Sequence, residues 1–362
     1  MWIENKIFQE DMKVITDASY IPWAKLRNKT IFVTGATGLI GFNLISALAY
    51  AYLYKNIPLK ILALVRNQEK AENRFHEILE AGAPLKFIVG DLDHIPEIDE
   101  PVDYIIHGGS PTASKYFAEH PVETITANLN GALQLLELAK RNQSEGFLFL
   151  SSMEVYGGIH RHEKVDEHHE SFIDTMVPRS SYPEVKRMVE SLCACYAEEY
   201  YVPAKVIRLT QTFGAGVRKE DNRVFAQFAR SAINHEDIVM FTRGGTEHMY
   251  LYTADAVTAI LTVLLLGKDG EAYNAANEQA YCSIREMAET VANLPIIRNQ
   301  FNGPVSVVID ESKNNMKIYP PELYMNLDTS KLKALGWRAT RDLKDMFTRM
   351  IQSSFYNDGF TI

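Results

Sequence analysis

The chain carries only three cysteines, Cys193, Cys195 and Cys282, among its 362 residues. The set is odd and contains no CxxC pair, which argues against a disulfide framework or a zinc knuckle and leaves reduced thiols. A basic excess is also missing, since the net charge is −9. That argues against nucleic acid as a partner, because a duplex selects clustered Lys and Arg. One small anionic ligand stays compatible with the charge, because backbone amides and a few placed cations can hold it. Long hydrophobic runs are lacking too. The longest, Ala259 to Leu266, falls far short of the ~20 residues needed to cross a bilayer and reads as a core helix, so no membrane partner is expected. The opening Met1-Trp2-Ile3-Glu4-Asn5-Lys6 has no basic stretch followed by an apolar one. No signal peptide is therefore expected, and a cytoplasmic location follows by default. Internal repeats and low-complexity tracts are absent.

What is present belongs to an ordinary globular protein: 46% of residues are hydrophobic and 23% charged. The length suits two fused lobes. Residues 1–28 read as an N-terminal extension, with Trp2, Ile7, Phe8, Ile15 and Trp23 packing onto the main body. Short β-rich apolar runs then stand at 30–34, 60–65, 85–89, 104–107, 146–150 and 204–209. Helical spacing occupies 42–54, 68–81, 121–142 and 182–200 between them. Such alternation predicts an α/β fold, a Rossmann-type doubly wound parallel sheet over 29–210, whose strand ends line one ligand-binding edge. Beyond 210 the pattern loosens, and 211–362 reads as a smaller α/β substrate lobe interleaved with the first.

Gly35-Ala36-Thr37-Gly38-Leu39-Ile40-Gly41 follows the first strand and opens a helix. Glycine permits the tight turn and close backbone approach, and the helix N-terminus then meets a pyrophosphate. The segment predicts a dinucleotide site using Gly35, Thr37, Gly38, Leu39, Ile40 and Gly41. The second strand ends Val65-Arg66-Asn67, without the acid that would accept from a free ribose hydroxyl. Arg66 can instead pair with a 2′-phosphate, so the expected cofactor is NADP or NAD, tightly bound, with a lean to NADP. Asp91 at the third strand's end is expected to contact the adenine amino group. Asn67, Leu92, Gly108, Ser110 and Leu209 complete the expected cofactor lining. Asn128, on the long helix, is expected to touch the cofactor or to order backbone near the active centre.

Tyr182 and Lys186 stand four residues apart near the start of a helix, on one face. Ser180 or Ser181 is placed to cap that helix, and Pro183 suits its first turn. A lysine ammonium beside a phenol favours the phenolate, which can take a proton from a sugar hydroxyl. Ser152, closing the fifth strand about 30 residues earlier, can hold that hydroxyl, while Ser151 is expected to face the nicotinamide. Glu154 lies two residues on, a carboxylate available as base or to orient water.

Taken together, Gly35-x-x-Gly38-x-x-Gly41, Ser151-Ser152-Met153-Glu154-Val155-Tyr156-Gly157 and Tyr182-x-x-x-Lys186 resemble the extended short-chain dehydrogenases acting on nucleotide sugars. The resemblance runs from about Lys29 to about residue 350. Within that family the chain looks most like UDP-glucuronate decarboxylases (UDP-xylose synthases). The likeness is carried by His107-Gly108-Gly109-Ser110-Pro111 with Tyr116 and Pro121, by Pro178-Arg179-Ser180-Ser181-Tyr182, and by Glu154. It implies hydride removal from sugar C4, a transient 4-ketone and a recycled cofactor. Epimerisation shares this opening; an NADPH-dependent carbonyl reductase and a non-catalytic dinucleotide-binding protein are the other readings. Ser110, Ser152, Met153, Glu154, Tyr182, Gln211, Arg223, Val224 and His248 are the expected substrate contacts.

Three positions depart from the family pattern. Gln211 stands where Asn is usual, His248 near a usual phosphate-clamping Arg, and Met153 where deoxysugar dehydratases carry Asp. A thioether cannot protonate a leaving hydroxyl, so 4,6-dehydration is disfavoured. The resemblance further implies a homodimer built on the helices at 121–142 and 182–200, with Leu133, Leu136, Met188 and Tyr196 as outward-looking apolar residues. His160, His162, His168 and His169 read as a solvated loop over the substrate, and no metal is expected.

Overall fold

The computed structural model describes residues 5–110, 114–301, 303–313 and 322–357; Trp2 and Pro111 lie outside them. In chain order the first half holds α1 (Lys6–Thr16), β1 (Lys29–Thr34), α2 (Leu39–Lys55), β2 (Leu59–Val65), α3 (Gln68–Glu80), β3 (Leu85–Val89), β4 (Tyr104–His107), α4 (Ser114–Glu119), α5 (Pro121–Asn142) and β5 (Gly146–Ser152). Next come β6 (Lys164–Val165), α6 (Ser181–Tyr200), β7 (Ala204–Leu209), β8 (Gln211–Phe213), α7 (Val224–Ile233), β9 (Ile238–Met240), β10 (Glu247–Tyr252) and α8 (Thr253–Leu266). The chain ends through β11 (Ala272–Ala275), β12 (Asn277–Ser283), α9 (Ile284–Ala292), α10 (Pro295–Phe301), β13 (Val307–Ile309), β14 (Tyr324–Leu327), α11 (Ser330–Ala334) and α12 (Leu343–Asn357).

Seven strands form one sheet in the order β11-β7-β5-β4-β1-β2-β3, every pair parallel. The chain runs from β1 outward to β2 and β3, then returns to β4 on the other side of β1. That reversal leaves a crevice beyond the ends of β1 and β4, where ligands bind in open α/β sheets. The strands inside the sheet are buried on both faces, as parallel strands covered by helices must be, while the edge strand β3 is partly exposed. In β1, Ile31 and Val33 join the core beneath α1, α2 and α8, while Phe32 joins the one beneath α5 and α6. Each such side chain contributes about 1.5–3 kcal/mol by leaving water.

The last strand of this sheet, β11, comes from the C-terminal half, so the two lobes interleave. A second sheet runs β12-β10-β14-β6 with β8 alongside β10, and β9 pairs with β13. Only Thr210 separates β7 of the large sheet from β8 of the small one. Leu209 lies in register with Ser152, and Gln211 with Tyr250, so the chain passes here directly from one sheet to the other, as it does again at Ala276 between β11 and β12. In the N-terminal extension Ile7, Phe8, Ile15 and Trp23 are buried in the main core.

Two helical expectations need correction. Leu136 is wholly buried and Tyr196 nearly so, its hydroxyl donating to Glu137 at 2.6 Å. Both pack between α5 and α6, so neither looks outward; Leu133 is half-buried, and Met188, 54% exposed, is the residue of the four that does face out. Nor does a serine cap α6 through its side chain. The helix grows out of the single turn Pro178–Ser180, Ser180 makes no capping bond, and the Ser181 hydroxyl is buried without a partner.

Candidate active site

The glycine turn links β1 to α2 at the reversal of strand order. Gly35 adopts φ +71, and a β-carbon there would lie 2.5 Å from the Gly108 carbonyl oxygen. A β-carbon on Gly41 would lie 2.2 Å from the Gly35 carbonyl oxygen. Both positions therefore admit only glycine, and their packing draws the β4 loop against the turn. Thr34 stitches the two strand ends, its hydroxyl bonding His107 Nδ1 at 2.8 Å and accepting the Gly109 N–H at 3.0 Å. No side chain caps α2, so its first-turn N–H groups stay available to an anion. On this observation the turn fits the pyrophosphate of a dinucleotide, which the N–H groups of Leu39 and Ile40 would hold, while the Gly38 N–H closes the turn on the Gly35 carbonyl at 3.0 Å.

Beyond the ends of β4 and β5 the chain assembles the second half of the site. Tyr182 is buried and stacks on Phe117 of α4, the ring centroids 4.2 Å apart and the planes at 10°. Burial pushes its phenol above the ordinary value, and the Glu154 carboxylate adds to this; the Ser152 hydroxyl, hydrogen-bonded to the phenol, pulls the other way. Ser152 also accepts the Glu154 N–H at 3.2 Å, which turns Glu154 toward the same space. There Glu154 is paired with Arg179 at 2.9 Å. Arg179 also lies over Phe117, 5.0 Å from the ring centre.

Lys186 sits one turn beyond Tyr182, fully buried, with Nζ donating to the Leu150 carbonyl at 3.0 Å. Burial lowers its pKa to about 7, against the opposing pull of Glu190 and Glu154. The expected lysine-driven phenolate is not the dominant effect here. Nζ is 5.6 Å from the Tyr182 ring centre, and burial outweighs it.

Several expected contacts are placed elsewhere. The Ser151 hydroxyl is buried and donates to Glu190 at 2.5 Å, not toward the nicotinamide crevice. Met153 is buried, and its sulfur accepts the Thr210 hydroxyl at 3.2 Å. Asn128 is buried and bonds the Thr124 carbonyl of its own helix at 2.7 Å, leaving its carbonyl oxygen unpartnered. Asp91 spends Oδ1 on the backbone of Asp93 and His94, and Asn67 caps α3 by accepting the Lys70 N–H. Arg223 is exposed and folded back on Asp221, ahead of the half-buried Val224. Leu209 is buried at the strand end beside Ser152, Leu92 packs against the Gly109 and Gly131 backbones, and Ser110 is half-buried. Arg66 is exposed at the end of β2.

On the small-sheet side, Gln211 Oε1, His248 Nδ1 and the Tyr250 hydroxyl are buried without hydrogen-bond partners. Burial lowers His248 to about 4, so it is a neutral imidazole near pH 7. Among the described residues no group of His, Cys, Asp and Glu is arranged to hold a metal. The loop histidines are engaged singly, His160 with the Glu322 carbonyl and His162 against Tyr324. No helix of the described residues is long and apolar enough to cross a membrane.

Sequence reasoning overlooked Phe117, Arg179 as the partner of Glu154, and the network behind Lys186. In that network Glu190 binds Arg208 through two oxygens at 2.7–3.2 Å, and Arg208 reaches the Tyr156 hydroxyl at 2.8 Å. The i,i+4 spacing of Lys186 and Glu190 was the available signal.

A glycine turn at a topological switch point, facing a buried tyrosine–lysine pair on one helix, defines a dinucleotide-binding α/β enzyme of the Rossmann type. The model of the NAD dependent epimerase/dehydratase family matches residues 31–276, and the chain belongs to that family. UDP-glucuronic acid decarboxylase 1 of Danio rerio is 27% identical over 252 residues, 69% of this chain and 57% of that protein. The chain thus spans little more than half of that relative's length. dTDP-D-glucose 4,6-dehydratase of Bos taurus is 26% identical over 344 residues, 92% of this chain and 90% of that one. Among solved structures, an epimerase from Methanothermobacter thermautotrophicus shares the fold, with TM-score 0.75 over 96% of each chain at 21% identity.

Proposed function

We propose that the chain remodels the sugar of a nucleotide sugar through a transient 4-ketone, with loss of a C6 carboxylate as the leading reaction. The observation that carries this reading is the meeting of Ser152, Glu154 and Tyr182 in one space at the end of β5. A nicotinamide dinucleotide held by the glycine turn would supply the hydride acceptor and donor. Ser152 donates to and orients the C4 hydroxyl, and the Tyr182 oxygen receives its proton. Ser152 and Arg179 oppose the burial that keeps this phenol neutral, and the positive ring of an oxidised cofactor would add to that pull. Once C4 is a ketone, a carboxylate at C6 is β to it and leaves as carbon dioxide; the C5–C6 bonding pair passes into a C4–C5 enolate, which takes a proton at C5 from water before the ketone is reduced. Glu154, held by Arg179, stands where a base or water-orienting carboxylate is needed. Gln211, His248 and Tyr250 support the nucleotide half of the reading, since buried polar atoms without partners await a ligand's. A neutral His248 offers a hydrogen bond in place of the usual cation, which fits an atypical pose of the diphosphate.

A second reading, a net NADPH-dependent reductase, draws on the missing acid after β2. Incubation with UDP-glucuronate and with a panel of UDP-, CDP-, GDP- and TDP-sugars, followed by mass spectrometry, separates the two. The expected result is a product lighter by carbon dioxide, no net change in nicotinamide absorbance, and turnover lowered about 10²–10⁴-fold in Tyr182→Phe. Stoichiometric NADPH consumption would establish the reductase, a product of unchanged mass an epimerase, and normal turnover in Tyr182→Phe would remove the catalytic assignment.

A further inference from the structure

Against the glycine turn and the start of α2 lies charge that the sugar chemistry does not use. Arg74, on α3, lays its guanidinium on the Phe42 ring at 4.2 Å, and Phe42 directly follows Gly41 in α2. Its Nε is buried and has no hydrogen-bond partner. Arg218, in the loop after β8, donates Nη2 to the carbonyl of Thr37, inside the glycine turn, at 3.0 Å. The two guanidiniums are near enough to repel: burial first and Arg218 second lower Arg74 to about 10. No carboxylate among the described residues is paired with either one. Arg66 is exposed at the end of β2, the strand from which α3 departs, where the adenosine ribose is read in such sheets. Like charges kept together without a counter-ion cost free energy, and an anion of more than one negative charge seated between them removes that cost.

We propose that Arg74 and Arg218, with Arg66 at the rim, seat the 2′-phosphate of an adenine dinucleotide, so that this chain takes NADP and discriminates against NAD. The assignment rests on the dinucleotide reading above and adds to it which residues choose the cofactor. Arg74 is the inner wall, prepositioned by its stack on Phe42. Arg218 is the outer clamp, and it ties the loop after β8 to the turn. Guanidinium forks match phosphate geometry in a way that lysine would not.

The test is equilibrium binding to the full chain freed of co-purified nucleotide, by nicotinamide fluorescence for NADPH and NADH and by calorimetry for 2′,5′-ADP and 5′-AMP. NADPH and 2′,5′-ADP should bind at least about tenfold more tightly than NADH and 5′-AMP. Arg218→Gln should remove most of that ratio while leaving NADH affinity within about twofold, and Arg74→Gln should do the same. Because Arg74 also packs on Phe42, the surface variant Arg218→Gln decides if Arg74→Gln folds poorly. Nucleotide released from the purified protein by acid should be NADP. Tighter binding of NADH, or equal weakening of both dinucleotides in Arg218→Gln, overturns the 2′-phosphate seat and leaves the sugar chemistry standing. Binding of neither dinucleotide overturns both.

Discussion

Lys186 shows how the site trades stability for chemistry. Its ammonium is fully buried, and desolvation brings its pKa from the ordinary 10.5 down to about 7, although Glu190 and Glu154 pull the other way. Between pH 7 and 10.5 the unfolded chain therefore binds more protons at this residue than the folded one. The residue's contribution to stability is at its best above pH 10.5 and is lost progressively as pH falls to about 7. Lys186→Met should consequently stabilise the fold at pH 7 by about 1–4 kcal/mol, since a buried charge is replaced by an apolar chain of similar length. The gain should shrink at pH 10. Turnover should fall by at least about 100-fold. Urea titrations at the two pH values check the first two points; a destabilised variant, or a gain independent of pH, would refute the account.

Among the elements, the chain ends are held to the body by charge as well as by packing. Arg349 on α12 is buried and meets Asp11 of α1 at 2.7 Å, and Asp11 accepts the Tyr252 hydroxyl of β10 at 2.6 Å. Burial raises Asp11 to about 6 even though Arg349 opposes it. Removing the cation leaves an uncompensated carboxylate in the core, so Arg349→Met should cost about 3–5 kcal/mol in urea unfolding at pH 7. Adding Asp11→Asn should recover much of the loss, because the stranded charge disappears with it. A double variant as unstable as the single one would show that packing, not charge, carries the effect.

At the scale of the whole molecule, α5 and α6 lie side by side and leave Val122, Ile125 and Met188 exposed. We propose that a second copy covers this face, giving a homodimer. Sedimentation at micromolar concentration should report twice the chain mass, and Ile125→Glu with Met188→Glu should return a monomer. A monomeric wild-type chain would contradict the proposal.

The sequence by itself determined the order of elements and the chemistry at two places. Short apolar runs separated by helical spacing were enough for the parallel sheet, because its inner strands bury both faces. The glycine turn was legible because no other residue tolerates φ +71 at Gly35 or the 2.2 Å approach at Gly41. Tyr182 and Lys186 were legible because helical geometry puts i and i+4 on one face. Tertiary structure decided what these residues meet. The hydroxyls of Ser151 and Ser152 part company, one to Glu190 and the other to Tyr182, since neighbours on a strand point to opposite faces. Phe117 on the short α4, Arg179 in the single turn before α6 and Arg218 in a loop reach their places through connections whose paths depend on tertiary packing and leave no period in the sequence. Leu136 and Tyr196 turned inward for the same reason: an apolar stripe shows that a helix face is covered, while only the folded neighbours show by what.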